Sequence, residues 1–131
     1  MDGKRPDHPA TVPGVIDLGE KLGSFAELWS PRIVAELNGQ HVKLAKVQGE
    51  FEWHHHEDED ELFLVLAGHL VIDLRDGKLT LDPGQCCVIP RGLEHRPRAD
   101  AETHLLLFEP AGTLNTGNVR SERTIQDPER L

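Results

Sequence analysis

The chain has 131 residues, a length that suits one domain with a proper apolar core. Its net charge of −9 disfavours nucleic acids and anionic membrane surfaces as partners, because both are bound through clustered basic residues. The cysteines, Cys86 and Cys87, are adjacent and form no disulfide framework, and the first residues lack the apolar run of a signal peptide, so we expect a cytoplasmic protein.

The first elements are a tail and a helix. Residues 1–14 are polar and proline-rich, and we expect a loose tail. Over residues 17–29, four apolar residues recur at helical spacing and so share one face: Leu18, Leu22, Phe25 and Trp29. Asp17 followed by Glu20 resembles an N-terminal capping box. The residue before Pro31 disfavours helical geometry, so a short helix is predicted to end there and to pack on the main body.

From residue 32 onward the pattern changes to short strands. Asn38-Gly39 is a strong two-residue hairpin turn, and further turn signals follow every eight to twelve residues. The longest apolar run, residues 62–67, is far too short to cross a membrane. About eight short strands in this rhythm predict an all-β antiparallel sandwich or barrel over residues 15–110, helix included. Residues 111–131 are polar, and we expect an irregular, exposed tail.

The segment WHHHEDEDELF, residues 53–63, combines histidines with acidic residues. Alternate residues of a strand point to the same face, so His54 and His56 would aim together and His55 the opposite way. Two imidazoles are half of a transition-metal site, which a carboxylate usually completes. Asp60 and Glu61 adjoin the next strand and are the best placed carboxylates, and alternation alone does not choose between them.

A second segment, GQCCVIPRGLEH at residues 84–95, carries a histidine directly after a predicted turn. Together the two segments resemble the cupin superfamily, and in particular its small single-domain Cupin_2-like members. The family motifs are G(X)5HXH(X)3–4E(X)6G and G(X)5PXG(X)2H(X)3N. Residues 49–68 match the first motif with one residue fewer after Gly49, and residues 84–99 match the second except that Ala99 replaces the final asparagine.

The resemblance implies a small antiparallel β-barrel, or jelly roll, with a metal inside one end. It places the metal ligands on His54, His56, Glu61 and His95, and so selects Glu61 over Asp60. Three imidazoles and one carboxylate suit one divalent transition metal per chain, such as Fe, Mn, Ni, Zn or Cu. Family members of this size are commonly homodimers that exchange or pair N-terminal strands, for which Arg32–Leu37 is the candidate segment here.

Such a site predicts a metal-dependent enzyme for a small polar organic molecule, with dioxygenase, isomerase or lyase chemistry. The alternative is a non-catalytic module that binds a small molecule or a metal, and the fold alone does not separate the two. No catalytic residue is singled out. Four residues are candidates for the substrate pocket: Glu52, Arg91, Glu94 and His104. The turn-like residues 115–118 receive no role from the sequence.

Overall fold

The computed structural model describes residues 13–131, so most of the predicted N-terminal tail lies outside the described residues. The described part contains one short helix and seven strands. Their bounds are α1 Leu18–Leu22, β1 Arg32–Leu37, β2 Gln40–Glu50, β3 Glu61–Ala67, β4 Leu70–Leu74, β5 Gly77–Leu81, β6 Cys86–Ile89 and β7 His95–Pro110. Among residues 13–131, no helix has the length and apolar character needed to cross a membrane.

Helix α1 is shorter than the helix predicted over residues 17–29, which was wrong at its C-terminal end. Asp17 caps the helix as expected, and its carboxylate accepts a hydrogen bond from the Glu20 N–H at 3.0 Å. The helix ends at Gly23 rather than before Pro31. Trp29 instead donates its backbone N–H to the Lys46 carbonyl of β2 at 2.7 Å, with a positive φ of 58°. Pairing with the sheet therefore overrides the helical spacing.

The strands form one antiparallel sheet that folds over on itself, which confirms the predicted all-β architecture with a short N-terminal helix. The order is β1-β2-β7-β3-β6, while β4 pairs with β5 and with β7. The 16-residue strand β7 joins the parts, because its first residues pair with β4 and its later residues with β3. The turn between β1 and β2 has positive φ at both Asn38 and Gly39, as the sequence predicted.

Only residues 104–108 of the 16-residue strand β7 have a clear apolar strand pattern in the sequence. Its first half is polar and includes a proline, which hid the strand pattern. The side chains nevertheless alternate, since His95, Pro97 and Ala99 are buried and the residues between them are only half-buried. A strand pattern in which every second residue points inward, with polar residues allowed at inward positions, would have predicted the first half of β7.

Two apolar clusters hold the fold together. The inner cluster fills the barrel and includes Val47, Phe63, Val65, Ile72 and Leu105, all nearly inaccessible to solvent. The outer cluster packs the helical segment against the other face of the sheet, through Leu22, Phe25, Val34 and Leu44. Neighbouring residues of β2 therefore point to opposite clusters, as strand alternation requires.

Residues 111–131 contain no helix or named strand, as expected, but they are not a freely exposed tail. Thr113 and Thr116 are buried at 3% and 0% exposure. Ile33 accepts a backbone hydrogen bond from Leu131 and donates one to Glu129, both at 2.9 Å. The segment stays packed because its backbone polar groups are paired with the barrel.

Candidate metal centre

Four buried side chains converge at one end of the barrel: His54, His56, Glu61 and His95. Their ligand atoms all lie within 4.8 Å of one another. The first two histidines lie in the connection between β2 and β3, whereas Glu61 opens β3 and His95 opens β7. Backbone hydrogen bonds of 3.0 and 2.9 Å tie His54 to His95 in both directions. The pairing brings together residues that are about forty positions apart.

The histidine run does not continue strand β2, which ends at Glu50. The expected alternation still holds for the histidines, because His54 and His56 are buried and His55 is only part-buried and pairs with Glu57. It does not hold for Phe51, which a regular strand would place on the face of His55. The Phe51 ring meets the His54 ring edge-on at 5.5 Å, because the backbone has left the strand before this residue.

Backbone carbonyl groups orient two of the imidazoles. His54 Nδ1 lies 2.9 Å from the Glu52 carbonyl oxygen, and His95 Nδ1 lies 2.8 Å from that of Leu93. Since a carbonyl oxygen only accepts, each Nδ1 must carry the proton and donate it. The Nε2 atom of each ring is then left with a free lone pair, which is the arrangement that metal-bound histidines use.

Three candidate ligand atoms of the cluster have no hydrogen-bond partner in the described part of the chain. They are His56 Nε2, His95 Nε2 and Glu61 Oε1, all fully buried. Glu61 Oε1 lies 3.3 Å from His56 Nε2 and 3.8 Å from His95 Nε2. Buried polar atoms without partners are unfavourable by themselves. A cation held among these three nitrogen and oxygen atoms would satisfy them, so the residues fit a transition metal.

The electrostatics keep two of the ligands ready to bind a cation at neutral pH. Burial, followed by the nearby His95, lowers the pKa of His54 to about 4, so its imidazole is neutral. Burial opposes ionisation of Glu61, but the hydrogen bond with the Glu109 carboxyl group, followed by the contacts of His56 and His95, outweighs it and holds the Glu61 pKa well below its ordinary value. A neutral imidazole and an ionised carboxylate are the forms that bind metals.

Sequence reasoning missed a buried ion pair beside this cluster. Lys43 Nζ donates a hydrogen bond to Glu109 Oε2 at 2.6 Å, and both side chains are only 2% exposed. Burial, followed by the charge of Glu61, raises the pKa of Glu109 well above its ordinary value. Strand alternation could have indicated this buried pair. Lys43 points to the same side of its strand as the inward Ala45, and Glu109 to the same side as the inward Leu107.

A cavity of about 40 Å³ opens beside the four side chains and is partly open to solvent. Its polar lining comes from His54, Glu61, Glu109 and Asn115. Most of the remaining wall is apolar and includes Trp29, Phe51, Phe63, Leu105 and Leu107. Trp29 and Phe51 stack with their ring centroids 4.7 Å apart. An apolar cavity with a few polar groups at one place is the usual form of a small-molecule site.

The four predicted pocket residues are not part of this lining in the described chain. Arg91 pairs with Asp60 at the surface, and Glu94 pairs with Arg75. The His104 ring pairs with Glu102 at 2.8 Å. Glu52 lies closer to the centre, but its carboxylate accepts a hydrogen bond from Ser121. Each of these side chains thus has a local polar partner outside the cavity.

The turn at residues 115–118 packs directly against the four-residue cluster of candidate metal ligands. Asn118 accepts a hydrogen bond from the His55 N–H at 2.9 Å and donates its own N–H to the His55 carbonyl at 3.0 Å. Asn115 lines the cavity. Arg123, a little further on, lies over the rings of Trp29 and Phe51. This part of the C-terminal segment therefore closes one side of the site.

Comparison with known proteins identifies the family. The model of the cupin domain, Cupin_2, matches residues 40–109, which is more than half of the chain. The chain belongs to the cupin family. The match runs from β2 to the end of β7, and it includes all four residues of the cluster. The resemblance inferred from the two motifs is thus confirmed.

Several proteins are similar to this cupin along much of their length. YdbB, an uncharacterized protein of Bacillus subtilis (strain 168), is 43% identical over 77 residues, which are 58% of this chain and 68% of YdbB. A cupin-2 domain containing protein from Shewanella frigidimarina has a solved structure with a TM-score of 0.73 and 47% identity, covering 73% of this chain and 94% of that one. The structure of NMB1881 from Neisseria meningitidis is 30% identical with a TM-score of 0.69, covering 75% and 100%.

Proposed function

We propose that this cupin is a metal-dependent enzyme that binds one divalent transition metal per chain through His54, His56, Glu61 and His95. One observation carries the proposal: three buried ligand atoms of this cluster have no other partner, and two of its imidazoles are held with Nε2 free. The ligand set suits Fe, Mn, Ni, Zn or Cu. Such an ion supplies Lewis-acid chemistry or, if redox-active, oxygen chemistry to a bound organic molecule.

The residues of the chain have separate parts in this proposal. The carbonyls of Glu52 and Leu93 orient the imidazoles, and the Glu61 carboxylate offsets the positive charge of the ion. Trp29, Phe51 and the leucines beside them keep water from the reacting part of the ligand. Among the described residues, the lining contains no lysine or arginine, so no cationic side chain would face a phosphate group there. We therefore propose a small organic substrate whose polar part faces the metal and whose body is apolar.

Elemental analysis of the purified protein tests the metal proposal. We expect about one transition metal ion per chain in the wild type and a strong loss in His95→Ala. His55→Ala is the matched control, because His55 lies between two proposed ligands but pairs with Glu57 instead. Equal metal content in the wild type and His95→Ala would contradict the assignment.

Turnover separates the two reaction types from each other and from the non-catalytic alternative. Iron-loaded protein that consumes O₂ with an organic substrate would support a dioxygenase. Conversion of a carbonyl compound by the zinc-loaded protein, without O₂ uptake, would support an isomerase or lyase. A metal-loaded protein that binds small molecules but converts none would favour the binding module.

We also propose a cytoplasmic homodimer, as the sequence predicted. Strand β1 is the candidate segment for pairing between two copies. One of its edges pairs with β2, and on the other edge Ile33 makes backbone hydrogen bonds with Glu129 and Leu131. A second copy would have to use the remaining length of that edge or another surface. Light scattering coupled to size-exclusion chromatography measures the mass directly, and a mass of one chain would overturn this proposal.

A further inference from the structure

The cavity beside the metal centre has the lining of a small-molecule site but not the volume of one. Its size of about 40 Å³ accommodates only a few water molecules, whereas pockets for organic ligands measure about 300–1,000 Å³. One wall of the cavity must therefore move before an organic molecule can lie next to the metal ligands.

Most of the wall cannot move without breaking the sheet. Its strand residues come from β2, β3 and β7, each of which pairs with a strand on either side. Trp29 is fixed as well, because its backbone N–H and its indole N–H both donate to carbonyl groups of β2. Asn115 instead comes from the C-terminal segment, outside the sheet. The part of the wall that is free to move is therefore the loop that carries Asn115.

Residues 115–125 form a compact loop whose ends are held close together. The Asn115 side chain donates to the Arg123 carbonyl and accepts from the Ile125 N–H, both at 2.8 Å. Only Thr116 among these residues is buried. Surface loops with joined ends, called Ω-loops, hold their own shape and are frequently functional. The loop can therefore move as one unit without taking a core residue from the barrel.

Two hydrogen bonds join the loop to the segment of the metal ligands. The His55 N–H donates to the Asn118 side chain at 2.9 Å, and the Asn118 N–H donates to the His55 carbonyl at 3.0 Å. The N–H of His54, the preceding residue, donates to the His95 carbonyl at 3.0 Å instead. Two neighbouring amides are therefore held by different parts of the molecule, that of His54 by the barrel and that of His55 by the loop.

Two side chains latch the other end of the loop. The Ser121 hydroxyl group donates to the Glu52 carboxylate at 2.6 Å, and the Arg123 guanidinium group donates to the Glu50 carbonyl at 2.8 Å. Both hydrogen bonds are exposed, so water can replace them and they stabilise the contact only modestly. Exposed hydrogen bonds and few buried contacts are typical of a segment that opens before the rest of the fold.

The chain on both sides of the loop is fixed. Before it, Thr113 is buried and donates its hydroxyl group to the Pro110 carbonyl at 2.6 Å. After it, Glu129 and Leu131 make backbone hydrogen bonds with Ile33 of β1, both at 2.9 Å. A compact loop between two fixed ends has a short, defined path of movement, unlike a free tail.

We propose that residues 115–125 are a lid, which must lift from residues 50–55 before an organic ligand reaches the metal. The inference rests on the proposed function for the metal and the organic substrate. Lifting takes Asn115 out of the wall and moves the Arg123 side chain off the rings of Trp29 and Phe51. The apolar surface of these rings then becomes available to the ligand.

Hydrogen exchange of single amides, followed by NMR on the purified protein, tests whether the lid lifts. Each measured rate is divided by the intrinsic rate of that amide. We expect the amides of His55 and Asn118 to exchange at least tenfold faster than that of His54, because lifting the lid frees the first two and leaves the third in place. Exchange of His55 as slow as that of His54 would show that the loop opens only with the barrel, and would overturn the lid. This comparison needs no variant to fold.

The double substitution Ser121→Ala with Arg123→Gln removes the two latching hydrogen bonds. It should speed the exchange of the His55 amide by about tenfold and leave that of His54 unchanged. Arg120→Gln is the matched control, because Arg120 is an exposed arginine of the same loop but the latch uses Arg123. An unchanged rate for His55 in the double variant would overturn the latch and with it the lid.

Stopped-flow absorption of the cobalt-loaded protein tests whether the lid controls access to the metal, since the visible spectrum of Co²⁺ changes when a ligand binds. Azide is small enough to pass the closed lid, whereas the larger acetohydroxamate is not. We expect the double variant to bind acetohydroxamate about tenfold faster than the wild type and Arg120→Gln do, with the same rate for azide in all three. An unchanged rate for acetohydroxamate, or an equal gain for azide, would overturn the control of access.

The proposed function fails separately. If the wild type takes up no cobalt or other transition metal, the metal centre is wrong. The exchange rates of His54 and His55 do not depend on a metal, and they then decide by themselves whether the lid lifts.

Discussion

Gly117 lies against His54, so closely that a Cβ atom at position 117 would stand 3.0 Å from the His54 ring and would overlap the His55 carbonyl group. Its φ of 57° is also unfavourable for residues with a side chain. The turn at residues 115–118 thus packs against the ring of a proposed ligand. A glycine far along the chain helps to fix the position of the metal centre.

We predict that Gly117→Ala displaces the His54 segment and weakens metal binding. The backbone strain costs about 1 kcal/mol, and the steric overlap adds roughly 1–3 kcal/mol to the loss in free energy of unfolding. Urea denaturation and zinc titration measure the two effects. Gly112→Ala is the matched control, because Gly112 has a φ of 87° but nothing within 4 Å of an added Cβ. Equal behaviour of the two variants would show that the contact with His54 has no consequence.

Metal binding should stabilise the fold, because the four ligands join two distant parts of the chain, residues 54–61 and His95. At a free Zn²⁺ concentration one hundred times the dissociation constant, the gain is about 2.7 kcal/mol. We therefore expect the thermal midpoint of EDTA-treated protein to rise by several degrees when Zn²⁺ is added. His95→Ala should lose this rise, and His55→Ala should keep it. A rise of the same size in His95→Ala would place the zinc elsewhere.

The Lys43 and Glu109 pair makes a prediction about stability that is independent of ligand binding. Glu109→Ala leaves a buried ammonium group without its partner and should lower the free energy of unfolding by about 3–5 kcal/mol. The double substitution with methionine at both positions removes both charges and should cost much less. Urea denaturation of both variants checks the order. A double variant less stable than Glu109→Ala would contradict the argument.

Cys87 should react slowly with thiol reagents. Burial, followed by the neighbouring Cys86, raises the pKa of Cys87 to about 11. Only the thiolate reacts with iodoacetamide, so at pH 8 about one Cys87 in a thousand is reactive, and the rate should rise about tenfold per pH unit up to the pKa. Mass spectrometry of a Cys86→Ser variant follows Cys87 alone. A rate that levels off near pH 9 would show that Cys87 has the pKa of an ordinary solvated thiol, and would contradict the prediction.

Strand alternation and turn chemistry were enough to predict the antiparallel all-β fold and the separation of His54 and His56 from His55. Those patterns depend on local geometry, which the order of residues carries directly. The two motifs then indicated all four members of the cluster, including Glu61 in preference to Asp60. In the structure Asp60 turns to the surface and binds Arg91 instead.

Other features depended on contacts between distant parts of the chain. The helix stops at Gly23 and Trp29 pairs with β2, and the helical spacing of the apolar residues does not record that pairing. Likewise, Lys43 and Glu109 are 66 positions apart, and each looks like an ordinary surface charge until the barrel closes around both. Local residue order thus predicted most of the strands and indicated the four residues of the cluster. Only the folded sheet decided which polar groups lose their water.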